Sequence, residues 1–315
     1  MSFLYFLESI RCPVLDWFFS IITYCGDETV FMAVGMIVFW CVNKYRGYYL
    51  LCVGFLGTVI NQFLKMIFRV PRPWIKDPNF TIVESAREAA TGYSFPSGHT
   101  QTSVGLFGCA CRIVKRTWLR VVMIALAVLV PLSRMYLGVH TPADVLVSAM
   151  IALILIFAIH PLFKNAENSP KTMYGILIAF ALMIAAFLCF VYFYPFPASV
   201  YAEDAIHNLE SARKNGFTLL GCVLGMILGY TIDRKWLHFE TKAVWWAQIL
   251  KTVGGILCVL AAKELLRAPL DYLFGGHLIA RGLRYFAIVM VGAVLWPMTF
   301  RFFSKLGTKK ESEET

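Results

Sequence analysis

Three short polar stretches interrupt an otherwise apolar chain. "KMIFRVPRP" gives Lys65 and, after six residues, Arg72-Pro73. "FPSGHT" gives Pro96, Ser97, Gly98 and His99, and "SRMYLGVHTPADV" gives Ser133-Arg134, His140 and Asp144. These residue types suit a phosphate. Arginine offers a planar fork to two oxygens and lysine a point charge, and Lys65, Arg72 and Arg134 supply both. Ser97 and Gly98 immediately precede an expected helix, whose first N–H groups are unpaired and point at an anion, and glycine lets the backbone approach closely. Two histidines complete the set, with an unperturbed pKa of about 6.5 that suits proton transfer near neutrality. All three stretches fall at the expected outer ends of membrane spans, so one pocket at that face could collect them.

The elements that would carry them are hydrophobic helices. Of 315 residues, 59% are hydrophobic and 15% charged, with a mean hydropathy of +0.67. A soluble domain is usually about 45–50% apolar, and here the excess comes in blocks near the ~20 residues needed to cross a hydrocarbon core. The expectation is an all-α polytopic membrane helix bundle. Spans are expected at 28–43, 47–68, 99–114, 118–134, 143–163, 172–194, 216–232, 243–262 and 282–303, about nine transmembrane helices in all. The first segment, 1–27, is interrupted by Glu8, Arg11, Pro13 and Asp16 and reads as a helix lying in the interface. Residues 28–170 would form the motif-bearing core, and 171–315 would add transmembrane helices of unassigned role. The N-terminus lacks a basic region followed by a short apolar stretch and a cleavage site, so no removable signal peptide is expected.

Charge and cysteine content exclude other classes. The net charge of +10 comes from residues flanking apolar blocks, not from a stripe, so no nucleic-acid partner is expected. Lys44, Arg46, Arg112, Lys115, Arg116, Arg120, Lys164, Lys171, Arg234 and Lys235 fall on one side, as the positive-inside rule requires. One outer stretch breaks that rule, carrying Lys65, Arg69, Arg72, Lys76 and Arg87. The nine cysteines include no CxxC pair and lie mostly in apolar runs, as small buried hydrophobes do. No metal-ligand set and no cofactor motif is found.

The order and spacing of the three stretches resemble the type 2 phosphatidic acid phosphatase superfamily of integral membrane lipid phosphatases. Its pattern is K-x6-R-P, P-S-G-H and S-R-x5-H-x3-D, and every fixed position is present here. The resemblance runs from about Thr29 to Phe163; residues after about 171 carry no motif of the family. It implies that His140 attacks phosphorus and forms a phosphohistidine, while His99 protonates the leaving oxygen and later activates water. It implies that Asp144 orients His140, as the third member of a triad does. Lys65, Arg72, Ser97, Gly98 and Arg134 would bind phosphate without a metal. The implied substrate is a lipid phosphate or diphosphate, isoprenoid or phosphatidic-acid-like, with a sphingoid or sugar phosphate as the alternative because family members acting on those also carry spans after the core. Apart from the resemblance, the short acidic N-terminal segment and the lack of a glycosylation-rich exterior favour a bacterial inner membrane over an endoplasmic reticulum membrane. The positive-inside pattern puts the site on the extracytoplasmic side, with membrane lipids as neighbours.

Several residues keep a structural alternative. Thr141, Pro142 and Asp144 also fit a capping box at a helix start, Ser97 an N-cap, and Lys65 a snorkelling side chain at a helix end. The same site could pass its phosphoryl group to another lipid, making a phosphotransferase. Lys251, well inside an expected span, and the unassigned 263–281 segment raise a third reading, lipid transport by the second half. Gly221, Gly225 and Gly229 recur every fourth residue, as helices do when they pack closely, either within the chain or at a homodimer seam. His207 and His277 read as loop residues.

Overall fold

The computed structural model describes residues 1–196 and 202–306. Among them no strand occurs, and the chain is a succession of helices. The first eight are α1 (Ser2–Ser9), α2 (Pro13–Tyr24), α3 (Glu28–Cys41), α4 (Lys44–Phe68), α5 (Pro73–Lys76), α6 (Gly98–Ile113), α7 (Thr117–Tyr136) and α8 (Pro142–Ala166). Then follow α9 (Pro170–Phe193), α10 (Ala202–Ile232), α11 (Trp245–Leu265), α12 (Arg267–Leu273), α13 (Leu278–Met290) and α14 (Phe300–Lys305). Six segments are long and apolar enough to cross a membrane: Lys44–Lys76, Thr117–Tyr136, Pro142–Ala166, Pro170–Phe193, Ala205–Leu237 and Leu278–Lys305. A seventh arises if α2 and α3, bent by 46°, act as one broken span. The chain is therefore an all-helical integral membrane protein, with six to seven such segments where about nine were expected. Helices α3 and α6, of 14 and 16 residues, are too short to cross alone, and α11 is not among the six.

Two further expectations change. Residues 1–27 are not one helix: the chain breaks before Pro13, whose missing N–H and fixed φ suit the first position of a new helix. The region of His207 is not a loop, because α10 starts at Ala202 and runs on for 31 residues. His277 does lie between helices, where its Nδ1 caps α13 by accepting from the Ile279 N–H at 3.2 Å.

The chain divides into two compact units. The first comprises 1–32, 49–161 and 195–212. Within it α7 packs against α6, α2 and α1. A small core of Ala86, Ala90, Tyr136, Leu137 and Val139, flanked by Leu15, Phe19, Trp74 and Val83, fixes the long 77–97 connection to the end of α7. The outward faces of α7 and α8 expose Trp118, Val121, Val128, Leu146, Leu153 and Phe157, the aliphatic and aromatic surface that a helix presents to lipid tails.

The second unit comprises 33–48, 162–194 and 213–315, and its described part ends at residue 306. Gly221, Gly225 and Gly229 lie against α13 and the turn that follows it. A Cβ on Gly221 would stand 2.1 Å from the Gly282 carbonyl oxygen, and one on Gly229 2.9 Å from the Ala293 Cβ. The small-residue stripe is thus used within the chain, so it no longer argues for a homodimer seam. Lys251 is wholly buried and satisfied internally. Its Nζ donates to the Thr241 carbonyl at 2.9 Å and lies 4.4 Å from the centre of the Phe300 ring. That removes the motive for a transport path at Lys251, since the ammonium already has partners.

Candidate active site

The end of α7 sets the geometry. Its last turn closes when the Val139 and His140 N–H groups both donate to the Arg134 carbonyl, at 3.1 and 3.2 Å. The reversal needs Gly138, whose φ is +81°, and a side chain there would also meet Arg11 Nη2 at 2.7 Å. Arg134 and His140 are thereby fixed on one short arc, wholly and 98% buried respectively. Immediately afterwards α8 begins with the capping box foreseen as an alternative. The Thr141 N–H donates to Asp144 Oδ2 at 2.8 Å, and the Asp144 N–H donates to Thr141 Oγ1 at 3.3 Å.

Asp144 does more than cap. The same Oδ2 accepts from Ser94 Oγ at 2.6 Å and lies 3.4 Å from His140 Nδ1. Its main-chain oxygen accepts from the Ser97 N–H at 3.2 Å. One residue therefore ties the second stretch to the third. The His140 Nδ1 contact is longer than a formed hydrogen bond, and it leaves the carboxylate facing that nitrogen. On the other side of the ring, His140 Nε2 lies 2.9 Å from Arg72 Nη1. Arginine can only donate, so Nε2 is the acceptor and the ring proton sits on Nδ1, towards Asp144. Burial first, then the charges of Arg72, Arg134, Lys65 and His99, holds His140 well below its ordinary value, so the imidazole is neutral at pH 7.

Arg72 is held by main-chain oxygens. Nε donates to Gly92 at 2.9 Å, Nη2 to Thr91 at 2.6 Å and Nη1 to Val139 at 2.9 Å. Lys65 Nζ donates to the Tyr93 carbonyl next in line. Three consecutive carbonyls thus grip both cations of the first stretch, and Gly92 adopts φ +70° in the middle of them. Arg134 is bound more sparely: Nη1 donates to Thr23 Oγ1 at 2.8 Å, while Nε and Nη2 are buried with no partner among the described residues. Among the described residues, none of these three cations forms an ion pair with a carboxylate, although all three act electrostatically on both His99 and His140.

Ser97 caps α6, with its Oγ accepting from Thr100 N and Thr100 Oγ1 at 3.4 and 3.0 Å. A side chain at Gly98 would touch nothing within 4 Å, so the first turn of α6 is uncovered there. His99 follows on that turn, half-buried. The expected residues are therefore brought into one neighbourhood. Sequence reasoning missed Thr23, Ser94 and the Thr91–Tyr93 carbonyls. Only Ser94, three residues before Ser97, carried a local signal.

An all-helical membrane protein with uncompensated cations around a neutral imidazole defines a class, and comparison with known proteins agrees with it. Residues 45–168 match the PAP2 superfamily, and residues 217–310 match the PAP2 superfamily phosphatase, transmembrane extension. The chain belongs to the PAP2 superfamily, including the half in which no motif was legible. It is 26% identical over 251 residues to the "Probable sphingosine-1-phosphate phosphatase" of Dictyostelium discoideum, covering 74% of this chain and 56% of that one. It is 32% identical over 105 residues to "Undecaprenyl-diphosphatase BcrC" of Bacillus subtilis, covering 33% and 51% respectively. The crystal structure of Aquifex aeolicus LpxE aligns with a TM-score of 0.45 at 26% identity, covering 50% of this chain and 92% of that one. The chain spans about half the length of the curated relatives it matches.

Proposed function

We propose that this protein hydrolyses a lipid phosphate or diphosphate through a phosphohistidine on His140, without a metal. The observation that carries this reading is the meeting of three buried cations, balanced among the described residues by Asp144 alone and forming no ion pair, with the unprotonated nitrogen of a neutral His140. Such a site is electrostatically incomplete until an anion enters, and a phosphate fits Lys65, Arg72, the Nε–Nη2 edge of Arg134 and the open first turn of α6 at Gly98. Ser97 serves that turn by capping it.

The chemistry would then run in two displacements. His140 Nε2 attacks phosphorus and the bond to the leaving oxygen breaks. His99, kept neutral by burial and the neighbouring cations and protonated once the bound phosphate offsets them, gives its proton to that oxygen. Asp144 faces Nδ1–H and stabilises the positive ring that forms. Water then attacks phosphorus and gives a proton to the now neutral His99; the N–P bond breaks, inorganic phosphate leaves and His140 returns neutral. The cations do what magnesium does in other phosphoryl transfers, neutralising the equatorial oxygens. We further propose that residues 28–170 are the catalytic core and that 171–315 shape lipid access. The distribution of Lys and Arg favours an extracytoplasmic site, read here as that of a bacterial inner membrane.

The test is phosphate release by purified protein from a panel of mono- and diphosphate lipids in EDTA. Release should persist without divalent metal, a base-stable phosphoprotein should be trapped, and His140→Ala should lose both. Dependence on magnesium, or full release by His140→Ala, would overturn the mechanism.

A further inference from the structure

The segment before residue 32 lies ahead of the region that matches the PAP2 superfamily, yet it touches the site at several points. Thr23, near the end of α2, is 93% buried and accepts from Arg134 Nη1 at 2.8 Å. Gly26, in the break between α2 and α3, lies against the start of α6: a Cβ there would stand 3.1 Å from the His99 carbonyl oxygen, 3.4 Å from the His99 Cβ and 2.6 Å from Val130. Arg11 Nε donates to the Tyr136 carbonyl at 3.2 Å, and Tyr136 OH donates back to Asp16 at 2.7 Å. Tyr136 lies two residues after Arg134 and two before Gly138, so α2, through Thr23 and Asp16, is bonded at two points to the end of α7 that leads into His140.

We propose that Thr23 is a positioning residue for Arg134, and that the α2–α3 break forms a wall of the phosphate site. The guanidinium of Arg134, wholly buried on α7, has five N–H donors and, among the described residues, only one hydrogen bond to a side chain, the one to Thr23. That bond fixes the plane of the fork and leaves Nε and Nη2 as the edge offered to an anion. Two parallel N–H groups grip two phosphate oxygens only when that plane is held. Without the hydroxyl, Nη1 becomes a further unpartnered donor, and the fork turns to satisfy it at the expense of the edge. Gly26 permits the approach because its missing side chain lets the break close on His99, which fixes how α2 presents Thr23 to α7.

This inference rests on the phosphatase reading above, and the two fail separately. The probe is inorganic orthophosphate, read by its protection of the full-length detergent-purified protein against thermal unfolding and by its competition with a lipid phosphate substrate. Thr23→Val keeps the shape and removes the acceptor, and Thr23→Ser restores it. Orthophosphate affinity and kcat/KM should both fall roughly ten- to a hundredfold in Thr23→Val with the ligand-free melting temperature unchanged, and recover in Thr23→Ser. Wild-type affinity and rate in Thr23→Val, or a loss in both variants alike, overturns the positioning role. Failure of the wild-type protein itself to bind orthophosphate would instead overturn the phosphate site and the inference with it.

Discussion

The two units differ in how closely their cations are gathered. In the second, Lys44 and Lys251 stand apart from one another, one with a counter-charge and one held by neutral groups. Lys44 Nζ lies 2.6 Å from Asp233 Oδ2 and 4.4 Å from the centre of the Phe239 ring, and Lys251 has a carbonyl and the Phe300 ring. In the first, Lys65, Arg72 and Arg134 share one neighbourhood with each other, with two histidines and with the Asp144 carboxylate, held directly by neutral oxygens and, among the described residues, in no ion pair. A buried charge is tolerated when paired and is costly when not. The second unit therefore spreads its cations, whereas the first gathers three of them against the single carboxylate of Asp144, an excess of positive charge that an anion would offset. Strain of this kind, upheld by the surrounding scaffold, is the physical mark of a binding site.

Four substitutions would break or sharpen this contrast. The largest effect is expected for His140→Ala, which should lower phosphate release roughly ten-thousandfold or more while the protein still purifies folded; residual turnover near the wild-type rate would remove His140 from the chemistry. Next comes Arg134→Met. It should lower kcat/KM roughly a hundredfold or more, yet raise the ligand-free melting temperature by about 2–4 °C, because an uncompensated charge leaves the interior. A fall in melting temperature would mean that the cation stabilises the fold, and the contrast would lose its basis.

In the second unit the signs should reverse. Asp233→Asn leaves Lys44 without its counter-charge and should cost about 1–3 kcal/mol of stability, measured by denaturation in detergent, with kcat/KM nearly unchanged. A comparable drop in activity would show that the units are functionally inseparable. The smallest effect is expected for Ser94→Ala. Removing one hydrogen bond to the Asp144 carboxylate should lower kcat by roughly tenfold, without altering orthophosphate affinity. An equal effect on affinity would place Ser94 on the phosphate instead of on Asp144.

Legibility from sequence varied by element. The helical class followed from block hydrophobicity, and the site residues from their order, because fixed spacings around helix ends survive as a linear pattern. The capping box at Thr141–Asp144 was also readable, since its two hydrogen bonds span three residues. The span count was not, because the polar opening of α6 and the 14 residues of α3 make helices that depend on their neighbours for burial.

By itself, then, the sequence determined the chemistry available: the types of side chain, their separations along the chain and the apolar blocks that carry them. Tertiary structure alone decided which atoms meet. That Thr23 faces Arg134 across 111 positions, that Arg72 points its Nη1 at His140 Nε2, and that Lys251 finds Phe300 are consequences of helix packing, which brings together residues whose separation in sequence carries no trace of their contact. Local hydrogen bonding is written in short patterns, while the partner of a buried charge is chosen by the fold as a whole.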